Sequence, residues 1–226
     1  EATLWWGGEG ERTSRERWGL GPGAAGGGGE DDYGGVVMLY AGLAAEVEAD
    51  GLVLGTELTR SATERPDVWR GLAEAARTVY DGNLTYAANW HKAYDSIQFW
   101  DALDYVGVQA YFPLTDATDP SLAALRTGWG PHRAALAEIH ERTGRPVLLT
   151  EVGYRSAEGA AARPWERPER DDGAPPDPAL QARPHPASRS TVRPAPWRTG
   201  GIICTLHPPA ERERPPPVTP PGHPPS

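Results

Sequence analysis

The chain has 226 residues, with 22 Lys and Arg against 31 Asp and Glu, a formal net charge of −9, and 38% hydrophobic residues. An acidic chain offers no broad basic surface for nucleic acid, and no run of about 18 apolar residues is present to span a membrane. The single cysteine, Cys204, excludes a disulfide framework and a cysteine-based zinc site.

Residues 1 to 35 hold 12 of the 27 glycines and few aliphatic side chains, so a low-complexity, disordered segment is expected there. No positively charged start followed by an apolar run is visible in the residues given; no signal peptide is expected in them, and localisation stays open. From Val36 on, Val37, Leu39, Tyr40, Leu43, Ala44 and Val47 recur at helical spacing and predict an amphipathic helix that stops at Asp50 and Gly51. Leu52 to Glu57 is a short apolar run ending in a carboxylate, as a buried strand ending at a site would. Pro66 opens a second helix through Tyr80, with Val68, Leu72, Ala76 and Val79 on one face, and Asp81 and Gly82 end it.

Leu84 to Trp90 is the next strand candidate, followed by a short segment with Ile97, Phe99 and Trp100. Tyr105 to Phe112 is a third strand, stopped by Pro113. A longer connection leads to a helix from about His132 to Arg142, which Gly144 closes, and Pro146 to Glu151 is a fourth strand. Residues 166 to 226 hold 17 of the 24 prolines and are expected to be an extended or disordered tail. Residues 36 to 165 are therefore the expected ordered domain. Of the 22 basic residues, 21 are Arg and only Lys92 is Lys, the bias of a GC-rich gene, which also yields Arg, Pro, Gly and Ala when read out of frame. Two readings of the ends stand open: a natural disordered linker and tail, or frameshifted coding sequence.

Four strands separated by helices at intervals of about 20 to 40 residues predict βα units with parallel strands, an α/β architecture. Polar groups recur at the C-terminal ends of these strands: Glu57, then Asn89 and Trp90, then Gln109 and Tyr111, then Glu151 and Tyr154. That edge is where α/β sheets and barrels bind ligands, because the loops there are free of packing duties. Alternation places Tyr105, Gly107, Gln109 and Tyr111 on one face, toward an interior, and Val106, Val108 and Ala110 on the other, toward helices.

Glu57 and Glu151 are the only acidic residues that end apolar strand runs. Two carboxyl groups on different strand ends suit glycoside hydrolysis, one protonating the leaving oxygen and one attacking the anomeric carbon. The proton donor needs a raised pKa, which a neighbouring carboxylate and partial burial supply. The plainer alternative is that each glutamate caps a helix or pairs with Arg60 or Arg155. Sugars also stack on aromatic rings, and Trp90, Trp100, Tyr111, Phe112, Trp129 and Trp165 lie in or near strand-end loops. Trp90 and Tyr111 directly follow strand runs and are the better sugar contacts, whereas Trp100 and Trp129 are expected to close the barrel top.

The strings GTEL at 55 to 58, LTYAANW at 84 to 90, FWDALDYVGVQAYFPL at 99 to 114, PVLLTEVGYRS at 146 to 156 and AARPWE at 161 to 166 together resemble glycoside hydrolase family 113. The resemblance implies a retaining (β/α)8 TIM barrel of clan A with endo-β-1,4-mannanase activity, and a β-linked polysaccharide or oligosaccharide as substrate. It implies Glu57 as acid/base after the fourth strand and Glu151 as nucleophile after the seventh. Tyr111 is then the tyrosine that holds the nucleophile ionised, and Asn89, Trp90, Gln109, Tyr154 and Trp165 join Tyr111 as substrate contacts. On this alignment the chain supplies strands four to seven, a partial barrel. Only 56 residues precede Glu57, and Trp197 to Leu206 is the nearest candidate for an eighth strand. Two further readings remain: a non-catalytic carbohydrate-binding remnant, and a metal-dependent barrel enzyme using Glu57, Glu151 and His91. No cofactor or metal is expected, His132 and His140 are expected to sit in a helix outside any site, and the chain is expected to be a monomer.

Overall fold

A computed structural model describes residues 3–4, 28–91, 93–154, 158–166, 183–184, 187, 190, 195–196 and 198–203. Its strands are β1 (Thr3–Leu4), β2 (Gly51–Thr56), β3 (Asn83–Asn89), β4 (Val106–Gln109), β5 (Val147–Val152) and β6 (Arg198–Ile203). They form one parallel sheet in sequence order, each strand pairing with the next. The helices are α1 (Gly28–Glu46), α2 (Thr59–Glu64), α3 (Pro66–Ala76), α4 (Ala93–Ser96) and α5 (Leu122–Thr143), with a 3-10 turn at Trp100–Ala102. Parallel neighbours in chain order with crossover helices are the signature of βα repeats, so the α/β class expected from the sequence is the one observed.

The strands β2 to β5 are the four apolar runs read from the sequence. β1 and β6 lie inside the two end segments expected to be disordered, and β6 falls within the stretch from Trp197 to Leu206 singled out as a strand candidate. Most of those end segments lie outside the described residues. α1 starts at Gly28 rather than near Val36, and its buried face is Tyr33, Val37, Ala41 and Ala44, while Leu39, Leu43 and Val47 are exposed. The small side chains at 41 and 44 let the helix lie close on the sheet, and the Tyr33 hydroxyl donates to Leu54 O at 2.7 Å.

In α3, with Pro66 at its first turn and Asp67 beside it, the buried residues are Trp69, Ala73 and Ala76. This face is rotated from the expected one, and Val79 stands exposed beyond the helix end. Trp69 anchors the layer: its ring stacks on Phe99 at 5.6 Å and meets Tyr86 and Tyr33 edge-on. Gly55 is the residue of β2 that passes under it. A Cβ there would stand 2.5 Å from the Trp69 ring and 2.8 Å from the Tyr33 hydroxyl.

α5 begins ten residues before the expected start. The Ser121 hydroxyl caps it by accepting from Ala124 N at 3.2 Å, and Gly144 closes it in the left-handed region at φ 66°. Pro131 lies inside this helix, where it withholds one main-chain hydrogen bond. The sheet's two faces divide as the alternation predicts for β4. Val106, Val108 and Ala110 join the core shared with the helices, whereas a Cβ on Gly107 would meet Thr85 and Thr150 on the opposite side.

Candidate active site

Glu57 directly follows β2, β3 ends in Asn89 and β4 in Gln109, and β5 carries Glu151 near its end. In the sheet register Asn89 pairs with Gln109 and Gln109 with Glu151, so these groups stand level along one edge. The register shifts by one residue just before Glu57 and just before Glu151. Such irregularities re-aim a side chain at the rim of a sheet. Glu57 shows the cost locally: its φ is 53°, a left-handed conformation for a residue with a Cβ, held by its N–H donating to Ala87 O at 3.0 Å.

Each carboxylate is gripped by side chains from the neighbouring strand. Asn89 Nδ2 donates to Glu57 Oε1 at 3.0 Å, and Asn89 Oδ1 accepts from His91 N at 2.8 Å, which fixes the amide so that its donor end points at Glu57. Gln109 Nε2 donates to Glu151 Oε1 at 3.0 Å, and the Tyr111 hydroxyl donates to Glu151 Oε2. Two donors on the two oxygens of one carboxylate lock its rotamer. Gln109 is 2% exposed, and its Oε1 has no hydrogen-bond partner among the described residues; the same holds for Thr150 Oγ1 nearby in β5.

Beside this row lies an aromatic surface. The Trp90 and Trp165 rings stand 5.1 Å apart with a 30° tilt, and Trp165 is 46% exposed. The loop carrying Trp165 is tied to the loop after β4 by Gly159 N–H to Thr118 O and Leu114 N–H to Ala161 O. Trp90 also meets the edge of Phe112, which stacks on His132 at 4.2 Å. His132 Nε2 donates to Pro113 O at 2.9 Å, and burial pushes its pKa below the usual imidazole value.

Of the residues expected at the site, Glu57, Asn89, Gln109, Tyr111 and Glu151 stand along one strand edge in two hydrogen-bonded groups, Glu57 with Asn89 and Glu151 with Gln109 and Tyr111, with Trp90 and Trp165 alongside. Tyr154 departs from the expectation. It is fully buried, its hydroxyl donates to Phe112 O at 3.1 Å, and burial raises its pKa well above the usual phenol range. Its surface is spent on bracing the loop beneath Trp90, leaving none for a sugar. Trp100 and Trp129 are packed into the core.

Arg60 engages Glu64 at 3.0 Å, and Arg155 lies outside the described residues. The His91 ring sits edge-on to Trp90, and among the described residues no group of three His, Cys, Asp or Glu side chains could hold a metal ion. The role of the His91 main chain in orienting Asn89, and the strained φ of Glu57, leave no trace in residue type; only the structure reveals them.

A parallel βα sheet with two carboxylates and an aromatic wall at the C-terminal strand edge defines a class: α/β proteins of barrel type that bind a ligand at the loop end of their strands. The sequence profile of Glycoside Hydrolase Family 113 matches residues 31–210, and the chain belongs to that family.

Among solved structures, it is similar to the GH113 β-mannanase AaManA from Alicyclobacillus acidocaldarius in complex with ManMIm, with 26% identity and a TM-score of 0.66 over 79% of this chain and 53% of that one. A second GH113 β-1,4-mannanase, solved as a complex, shares 22% identity with a TM-score of 0.65 over 78% of this chain and 52% of that one. A β-glucuronidase of Bifidobacterium dentium complexed with coumarin-3-O-glucuronide shares the fold at 15% identity and a TM-score of 0.54, over 83% of this chain and 28% of that one. The chain thus spans about half the length of the solved mannanases it matches. A search of curated proteins finds no match.

Proposed function

We propose that the chain carries the catalytic edge of a retaining glycoside hydrolase acting on β-1,4-linked mannan. The observation that carries this reading is the Glu57–Asn89 and Glu151–Gln109–Tyr111 row across four adjacent strand ends. Family membership and the mannanase activity of the structural relatives support the substrate class.

In this reading the Glu151 carboxylate, oriented by its two donors, attacks the anomeric carbon while Glu57 delivers its proton to the glycosidic oxygen. The C–O bond breaks, the shortened chain leaves as an alcohol, and a covalent glycosyl-enzyme remains. Glu57, now a carboxylate, takes a proton from water. The water attacks the anomeric carbon and restores Glu151, so the product keeps the β configuration. Retention requires the carboxyl groups about 5–5.5 Å apart. β2 and β5 are three strand spacings of about 4.8 Å apart along the sheet, so the wall must curve to bring them that close, as a barrel wall does. Trp90 and Trp165 offer ring faces for the apolar sides of sugar rings beside the pair.

The test is release of reducing sugar from β-1,4-mannan by the purified chain, with Glu151→Ala as the control. Activity lost in that variant supports the proposal. Mannan binding with no release by the unaltered chain would instead support the carbohydrate-binding reading, which the half-buried Trp90 and the exposed Trp165 also serve.

A further inference from the structure

Tyr111 reaches Glu151 from a piece of chain that the sheet does not hold. β4 stops at Gln109, and among the described residues the last main-chain rung from there to β5 is Ala110 N–H to Glu151 O at 2.7 Å. Tyr111 stands past that rung, where strand pairing no longer fixes the main chain. Its hydroxyl nonetheless meets Glu151 Oε2. A group that is to orient a reacting carboxylate must itself be held to within about 0.5 Å, so something other than the ladder has to fix this segment.

The tie across the gap comes from a side chain. The Tyr154 hydroxyl donates to Phe112 O at 3.1 Å. Phe112 directly follows Tyr111, and Tyr154 lies three residues after Glu151. Two hydrogen bonds and two short pieces of chain therefore close a ring, from Glu151 to Tyr111 and from Phe112 back to Tyr154. Both Tyr154 and Phe112 are buried, so water does not take the place of the phenol while the packing stays closed. The opposite side of the segment is secured to α5, where the Phe112 ring stacks on His132 and His132 Nε2 donates to Pro113 O. Tyr154 instead ties it to the strand end that carries Glu151. Packing alone would be served as well by Phe, since a phenol oxygen taken out of water is favourable only where it finds a partner. We propose that Tyr154 is a positioning residue, whose bond to Phe112 O supplies the next tie beyond the ladder and so holds the Tyr111 hydroxyl on Glu151. It touches no sugar and acts through Tyr111. Its consequence for turnover rests on the reading of Glu151 as nucleophile; the hold on Tyr111 does not.

Tyr154→Phe removes the oxygen and keeps the ring. In the full chain on β-1,4-mannan it is expected to lower kcat by about 3- to 10-fold with KM within about twofold. In a Tyr111→Phe background the same substitution should lower kcat by less than about 1.5-fold, because the group it positions is gone. A residue that serves stability alone would lower the melting temperature and leave kcat unchanged, or reduce it equally in both backgrounds. A second readout needs no turnover. With 3-fluorotyrosine in place of Tyr111, the fluorine resonance of the otherwise unaltered chain and that of Glu151→Ala mark the hydroxyl with and without its acceptor. Tyr154→Phe should move the resonance at least halfway toward the Glu151→Ala position. If Tyr154→Phe does not fold, Tyr154→4-aminophenylalanine, a weaker donor on the same ring, should move it in the same direction. An unmoved resonance, or equal losses of kcat in the two backgrounds, would overturn the proposal. A chain that releases no sugar from mannan yet shows the shift keeps Tyr154 in this role and sinks the mannanase reading instead.

Discussion

Glu57 adopts its positive φ at the point where its carboxylate must leave the strand, and that conformation costs a residue with a Cβ about 1–2 kcal/mol that glycine escapes. Two variants that both delete the carboxylate should therefore differ. Glu57→Gly is expected to be more stable than Glu57→Ala by about 1 kcal/mol in urea unfolding, with neither showing hydrolysis. Equal stabilities would mean that the chain relaxes out of this conformation once the side chain is gone. On the other carboxylate, Tyr111→Phe removes one donor to a charged acceptor, worth about 1.5–3 kcal/mol. If that bond strengthens in the transition state, kcat should drop by about 10- to 100-fold with KM nearly unchanged. A change confined to KM would assign Tyr111 to sugar binding instead.

His132 offers a check on stability rather than turnover. Burial holds its folded pKa below the unfolded value of 6.5, opposed by the hydrogen bond to Pro113 O. Above pH 6.5 both states are neutral and its contribution is flat. As pH falls through the unfolded pKa, the unfolded chain takes up a proton that the folded chain resists, so stability decreases until the lowered folded pKa is reached. Urea midpoints measured from pH 7.5 down to pH 5 should show this loss, and the slope should be smaller in His132→Gln.

The helices show where sequence pattern runs out. α5 was legible only in its second half, because Gly128, Gly130 and Pro131 together resemble a loop. The structure gives Gly128 another purpose: a Cβ there would stand 2.0 Å from Leu114 O, so the helix passes directly against the loop after β4. Gly128→Ala should consequently push α5 off that loop and cost about 1–3 kcal/mol, while Gly130→Ala, where nothing lies within 4 Å, should be neutral or stabilising. Equal thermal melts for the two variants would contradict this packing. α2 escaped notice because Thr59–Glu64 contains a single buried residue, Ala62, and so has no apolar period to read.

In α1 the face was misassigned because Leu39, Leu43 and Val47 are more apolar than the alanines that are actually buried. Hydrophobic spacing identifies a helix but cannot say which of two adjacent apolar sides meets the sheet. The strands were legible for the opposite reason: in a parallel sheet covered by helices, runs such as Leu52 to Leu54 are apolar with little alternation, and only their last residues turn polar. The candidate site was read from those last residues. Tyr154 was misplaced among them because residue type alone does not distinguish a phenol turned into the core from one turned into a cleft.

Across the whole molecule the formal charge is −9, and the substrate class proposed is a neutral polysaccharide. A uniform excess of negative charge repels polyanions and neither attracts nor repels an uncharged chain, so electrostatic steering is absent from the association step. Salt then has little to screen. kcat/KM on β-1,4-mannan is expected to vary by less than about twofold between roughly 10 mM and 500 mM salt, over which the Debye length falls from about 30 Å to about 4 Å. A uronic-acid glycan, built from charged sugars, should bind weakly and more tightly as salt rises. The opposite result, tight binding of the anionic sugar that salt abolishes, would require a local cationic cluster at the strand-end cleft. It would move the substrate assignment from neutral mannan to an acidic polymer while leaving the carboxylate pair in place.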